Sequence, residues 1–420
     1  FDLQGLPQYL WQYLPRYTDA IGKLGAGKMN YEQTAQRRAA ATGGIECSPN
    51  FTTHALDPNR RVWNMQFRLK ALDNKVENAL DVLRDLVFDV NPRDKERLYD
   101  VLNQAVVGYQ NMIHDYSGPS IADHHAARGL SPQAYLKETV FGLPQFRASE
   151  MLLKRFDESY EELTYAIEAI REFLLVQDRV TVSFTGSDAA FEMFQGQFAE
   201  WISNMRDEPI ISAPIGFKPF DVPPREGLAA PIQVAHCTQM IPAPHYSHSD
   251  SALLTIGSHI LTFDYMLPEI RLKGNAYGFN CAYNPFESML HQGSQFDPHV
   301  ARTLNVFAQT VDYVKQTEWT QTDIDRAIIA KSTDYQKTVR PSQASTDALT
   351  DHLTGQTHEM FEEKYAELRR ATPKQVKRAM LETLEEGRDK SSICVIASRE
   401  KLETENQKMA QSLHIENVFE

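Results

Sequence analysis

The 420-residue chain has only four cysteines, Cys47, Cys237, Cys281 and Cys394, far apart and without a CxxC pair. That spacing suggests neither a disulfide framework nor a zinc ribbon, and buried reduced thiols are expected. Runs of five or six Lys or Arg are missing, and 43 Lys plus Arg against 56 Asp plus Glu leave a formal charge of −13. Polyanion affinity comes mainly from phosphate neutralisation, so nucleic acid is not an expected partner. The longest apolar stretches, such as Ser251 to Phe263, are interrupted by Ser and His, well short of the roughly 18 residues that span a bilayer. A soluble chain with no membrane partner is expected. Phe1 stands without an initiator Met, a basic segment or an apolar signal core, which reads as a piece of something longer.

Several catalytic signatures are also absent. None of the thirteen histidines begins or ends HExxH or HxxEH, so this chain offers no helix face with paired metal ligands. Neither GxSxG, GxxxxGK[ST] nor GxGxxG occurs, which leaves serine hydrolysis, P-loop chemistry and dinucleotide binding without support.

What is present is ordinary globular composition, 42% hydrophobic and 10% aromatic, in a length that suits two or three domains with their own cores. Val62 to Leu72 alternates, with Trp63, Met65, Phe67, Leu69 and Ala71 on one face, and predicts a half-buried strand. Asp73 is placed to cap a helix through Leu86 that ends before Pro92. Helices are expected at Asp94–Ile113, from Ser131-Pro132, across Phe146–Leu175 and from Asp188 to Met205, with a strand at Val180–Phe184. Ahead of these, Leu3–Leu24 and Tyr31–Ala41 read as helical and Ile45–Thr53 as a strand. Pro209, Pro214, Pro219, Pro223, Pro224 and Pro231 mark a linker. Beyond it the pattern recurs: strand Ile232–Met240, helix Asp250–Tyr265, paired strands at Ala276–Asn284 and Phe286–Gln292, a helical block, a closing strand Ser392–Ala397 and a last helix. The reading is an α+β protein of two homologous domains, residues 1–207 and 232–420, joined by a proline-rich connection over 208–231. Each is expected to be a mixed or antiparallel sheet covered on one face by helices.

Two constellations carry possible chemistry. His236, His245 and His248 are three potential zinc ligands, though scattered loop histidines are usually solvated. Leu267 to Phe279 contains Arg271, Lys273, Gly274, Asn275, Tyr277 and Gly278 at a predicted helix–turn–strand junction, where a guanidinium and a phenol can point into a cleft. From residue types alone the plainer reading is a surface Arg in a weak ion pair and a Tyr packed on the sheet.

The run Arg271-x-Lys273-Gly274-x-x-Tyr277-Gly278 resembles the R-x-K-G-G-A-Y-G signature in the C-terminal half of pitrilysin- and insulinase-type zinc peptidases, the inverzincins. Leu6-Pro7, Leu14-Pro15, Gly25 to Lys28, Tyr31 and Thr42-Gly43-Gly44 are similar to the third domain of the presequence-protease branch. Asp297-Pro298 with Thr303, Pro341 and Leu353-Thr354-Gly355 are similar to its fourth. The likeness runs over essentially the whole chain. It implies half of a clamshell that closes over a peptide chamber, with zinc held by a partner N-terminal half and no metal ligand here. Arg271 and Tyr277 inherit catalytic roles, and Arg271, Gly274, Asn275 and Tyr277 substrate contacts. Asn275 departs from the usual Gly, and Asn tolerates a left-handed backbone better than other non-Gly residues. The resemblance further implies peptide substrates and a cytoplasmic or organelle-matrix location, mitochondrial or plastid-like. The alternative is a catalytically inactive homologue serving as a binding or scaffold subunit.

Overall fold

The alternating segment forms β2 (Arg61–Lys70), which pairs antiparallel with β1 (Gly44–Thr53), Gly44 opposite Lys70 and Thr53 opposite Arg61. The computed structural model describes residues 1–113, 118–336 and 338–419. Trp63 and Met65 are buried, against Leu3, Trp11, Tyr17 and Phe51. Asn64, on the opposite face, is buried as well, because Asp2 bridges to it in an antiparallel pairing. Around this hairpin lie the helices Leu14–Lys23, Tyr31–Ala41, Val76–Asp89, Lys95–Met112, Pro132–Phe141, Leu143–Lys154 and Phe156–Leu174.

The sequence signals for helix starts hold where a side chain closes the first turn. Asp94 accepts from the Arg97 amide at 3.1 Å and Ser131 from the Ala134 amide at 3.2 Å, each satisfying an orphan donor. Asp73 does not act this way. A 3₁₀ turn over Asp73–Lys75 precedes the helix, and no side-chain hydrogen bond caps it. The periodic segment from Phe146 is two helices, broken at Arg155 (φ −123°, ψ 40°). Val180–Phe184, expected as a strand, belongs to no ladder among the described residues.

The second half builds a six-stranded mixed sheet from β3 (Arg225–Ala229), β4 (Ala235–Pro242), β5 (Gly278–Asn284), β6 (Met289–Asp297), β7 (Ser392–Ala397) and β8 (His414–Asn417), in the order β8-β3-β7-β4-β6-β5. β3 pairs parallel with β7 and β8, and the other pairs are antiparallel. β3 lies inside the expected linker. Its residues Glu226 to Ala229 are buried in the sheet, a role the surrounding prolines concealed. The sheet is also covered on both faces. On one, Cys237, Ile241, Leu290 and Val395 pack under the helices Ser251–Ile260, Val300–Gln316 and Pro373–Gly387. On the other, Leu228, Met240, Met289 and Ile396 meet Ile121, Ala122 and Ala126 of the helix Gly118–Ala127. The fold is α+β, with the first half seated on the second half's sheet.

Candidate functional site

The helix beginning at Ser251 does not stop before Pro268. Its last section, Leu261–Leu272, widens into a π-helix that contains Pro268. Proline lacks an amide and its ring clashes with the carbonyl four residues back, and wider turns with i→i+5 bonds relieve that clash. The Lys273 amide accordingly donates to the Pro268 carbonyl at 3.0 Å. Thr262 fixes the helix to the next strand, donating to the Cys281 carbonyl at 2.8 Å and accepting from the Cys281 amide at 3.0 Å.

The chain then reverses over Gly274 and Asn275. Asn275 has φ 59°, the left-handed conformation its departure from Gly has to adopt. Gly274 packs against the Arg302 guanidinium and the Ile270 carbonyl, so a side chain there would collide with both. Tyr277 enters the sheet edge through its amide, which donates to the Gln295 carbonyl at 3.2 Å. Its side chain is 56% exposed. The Arg271 guanidinium, also exposed, lies 5.6 Å from the Tyr277 ring centroid, within cation–π range. The four residues singled out in the sequence thus form one turn that displays a phenol beside a guanidinium, six donors in all.

The residues that support this pair come from distant sequence. Phe296 holds Tyr277 edge-on (centroids 6.1 Å, 84°) and is itself edge-on to His236 at 5.0 Å. Phe296 has φ 47° at a register shift between β4 and β6, a conformation that costs a bulky residue about 1–2 kcal/mol. The Phe296 amide donates to His236 Nδ1 at 3.4 Å, and burial lowers the His236 pKa to about 4, so the ring is neutral at pH 7. Nearby, Thr238 donates to Asp123 at 2.6 Å and His291 Nε2 lies 3.2 Å from the same carboxylate. Burial opposes a charged His291, but the Asp123 charge and hydrogen bond outweigh it and raise its pKa. No sequence pattern announced these partners, because each contact joins separate elements.

A second polar cluster ties the halves together. Arg128 donates two bonds to Glu226, at 2.7 and 2.8 Å, and His125 lies 2.8 Å from Glu138 and 3.3 Å from Glu226. Burial pushes Glu226 up, but hydrogen bonds and charge from His125 and Arg128 prevail and hold it at about 2. His125 is raised for the reciprocal reason, its carboxylate partners overcoming burial.

The histidine trio does not assemble. His236 packs on Phe296, His245 Nε2 lies 3.0 Å from Thr53 Oγ1, and His248 is half exposed beside Asp250. Among the described residues no group of three or more His, Cys, Asp or Glu is arranged to hold a metal ion. A cavity of about 870 Å³ lies away from the turn, between β2, residues 178–186 and the start of the helix Pro341–Thr354.

Two family models match the chain: the region associated with subfamily C of the M16 peptidases over residues 1–152, and "PreP C-terminal domain" over 237–399. The mitochondrial presequence protease of Emericella nidulans is 27% identical over 405 residues, covering 94% of this chain and 38% of that protein. The mitochondrial presequence protease of Xenopus tropicalis is 24% identical, covering 81% and 36%. The chain therefore spans a little over a third of the length of the curated relatives it matches. Among solved structures, a peptidase M16 inactive domain from Pseudomonas fluorescens aligns with TM-score 0.61 at 14% identity, over 91% of this chain and 87% of that one. Pitrilysin aligns with TM-score 0.61 at 10% identity, over 97% and 40%. Together these matches make the chain similar to the C-terminal part of presequence proteases, in the fold of an M16 peptidase half. Among the described residues no helix is long and apolar enough to cross a membrane.

Proposed function

We propose that this chain is the non-zinc-binding half of a presequence-protease-like metalloendopeptidase that degrades unfolded or short peptides inside a closed chamber. In this reading it consists of two domains, the first over 1–207 and the second extended from the expected 232–420 to take in β3 at Arg225–Ala229. The observation that carries the reading is the signature turn, which presents Arg271 and Tyr277 side by side and exposed on a left-handed Asn275. In this reading, as the resemblance implies, zinc is held by the N-terminal half, as a separate chain or as part of one polypeptide. That partner supplies the metal chemistry, and this chain supplies donors. The Tyr277 hydroxyl donates to the oxyanion that develops on the scissile carbonyl, and Arg271 clamps a substrate carbonyl or carboxylate and fixes register. Both act only when the halves close, so closure couples capture to turnover. Location in an organelle matrix follows the mitochondrial relatives.

Metal analysis and peptide cleavage on the chain alone, and after mixing with a zinc-bearing N-terminal half, test this reading. Zinc and cleavage only in the mixture support it. Cleavage by the chain alone overturns it, and a mixture that associates yet never cleaves leaves the inactive scaffold as the function.

A further inference from the structure

Against β4, strand β6 keeps a regular register only as far as Ser294. Ser294 stands opposite Cys237 and Asp297 opposite Ala235, so Gln295 and Phe296 together face the single residue His236. Two residues against one make a β-bulge, a device that re-aims a side chain beside a functional site. In an unbroken pleat, Phe296 would share a face with Ser294 and Cys237, under the helices Ser251–Ile260 and Val300–Gln316. The bulge turns its ring to the opposite face, where His236 pairs beside Ile396. The left-handed φ of 47° is the strain that this turn requires.

Both bulge residues reach the signature turn. The Gln295 carbonyl accepts the Tyr277 amide, and its side chain lies over Gly278, where an added Cβ would stand 2.9 Å from Gln295 Cβ. Gly278 therefore admits an approach that a larger residue would block. Phe296 meets the Tyr277 ring nearly at right angles. Behind Phe296, the His236 ring is 1% exposed, accepts the Phe296 amide on Nδ1, and abuts Gly118 of the first half, whose added Cβ would come within 3.2 Å of Nε2. Phe296 is thus braced from behind. A phenol as exposed as Tyr277 samples several rotamers unless its ring is held, and an oxyanion donor acts only when it is already aimed.

We infer that the Gln295–Phe296 bulge is the seat that aims Tyr277, and that Phe296 is a positioning residue for the Tyr277 hydroxyl. This rests on the oxyanion role proposed above and names what that role requires of the fold: a ring locked by its supporting residues. Edge-to-face ring pairs prefer one mutual orientation, so an aromatic at 296 restricts Tyr277 in a way that an aliphatic side chain does not.

Phe296→Gly and Phe296→Asn both remove the ring and both accept φ 47° with less strain than Phe, so the backbone of the bulge is retained. In the assembled enzyme each should lower kcat by about fivefold or more with KM within about twofold, the pattern of a donor lost in the transition state. Phe296→Tyr, which keeps the ring, should recover kcat. Placed on Tyr277→Phe, the ringless substitutions should change kcat by less than about twofold, because no hydroxyl remains to aim. Fluorine NMR of this chain labelled with 3-fluorotyrosine reads the ring without the partner half. Tyr277→Phe identifies the Tyr277 signal, which should move toward the unfolded-chain position in Phe296→Gly and Phe296→Asn and stay in place in Phe296→Tyr. Either wild-type kcat or an unmoved signal in the ringless variants, with Tyr277→Phe itself impaired, overturns the seat and spares the oxyanion role. An equal kcat loss in the Tyr277→Phe background also overturns it, since Phe296 then acts on something other than the hydroxyl. Wild-type activity of Tyr277→Phe removes the oxyanion role, and the seat's purpose with it.

Discussion

The two halves build sheets of different completeness. In the second, six strands share one sheet, both faces are covered, and every residue of β7 is buried. In the first, β1 pairs with β2 and Gly25–Ala26 with Val90–Asn91, Val180–Phe184 joins no ladder among the described residues, and a cavity of about 870 Å³ borders β2. An identical alternating pattern thus specifies a strand only when a neighbour supplies the other half of its hydrogen bonds, because buried backbone groups require partners.

Truncation should expose that difference most strongly. Leu290→Ala, at 0% exposure in the second sheet, is expected to cost about 3 kcal/mol or more, the usual penalty for a buried cavity. Leu69→Ala on the cavity wall, half-buried, should cost about 1 kcal/mol, close to its limited transfer term. Urea unfolding of both variants measures this, and equal losses would remove the contrast.

The joint between the halves comes next. Glu226→Gln leaves Arg128 and His125 short of a carboxylate, which should destabilise by about 2 kcal/mol. The pH dependence follows from the two shifts. Glu226 is held low, so its contribution is present above its ordinary range and fades as pH falls toward 2. His125 is raised, so its contribution is full below its ordinary 6.5 and is lost as pH rises through the folded value. Stability of the Glu226→Gln variant should therefore vary less with pH on both sides, and a wild-type-shaped profile would contradict the assignment.

The smallest effect is expected at the turn. Asn275→Ala places an ordinary residue at φ 59° and should cost about 1 kcal/mol, whereas Asn275→Gly should be neutral within a few tenths. Thermal melts of the pair separate backbone strain from any side-chain role.

Much of this architecture is legible in the residues themselves. The alternation through Trp63 and Met65, the caps at Asp94 and Ser131 and the closing strand from Ser392 follow from local chemistry. Three elements are not. The helix Gly118–Ala127 lies between halves and buries His125 along with Ile121, Ala122 and Ala126, so polar and apolar residues are not sorted into a helical stripe. β3 sits among prolines and its identity depends on β7 and β8. The strand expected at Val180–Phe184 has alternation without a partner. At the site, resemblance located Arg271, Gly274, Asn275 and Tyr277, while Phe296, His236, Asp123 and His291 emerge only from contacts across strands and between halves.

The central claim, that this half lends a phenol to chemistry centred on the other, is tested most directly by Tyr277→Phe in the assembled enzyme. Tyr277→Phe keeps the ring that Phe296 meets edge-on and that lies beside Arg271, so the variant should still fold and associate with the partner half. Its kcat/KM on several peptides should fall by about tenfold or more, the size expected for one lost oxyanion donor. Wild-type kcat/KM on every peptide would contradict the account.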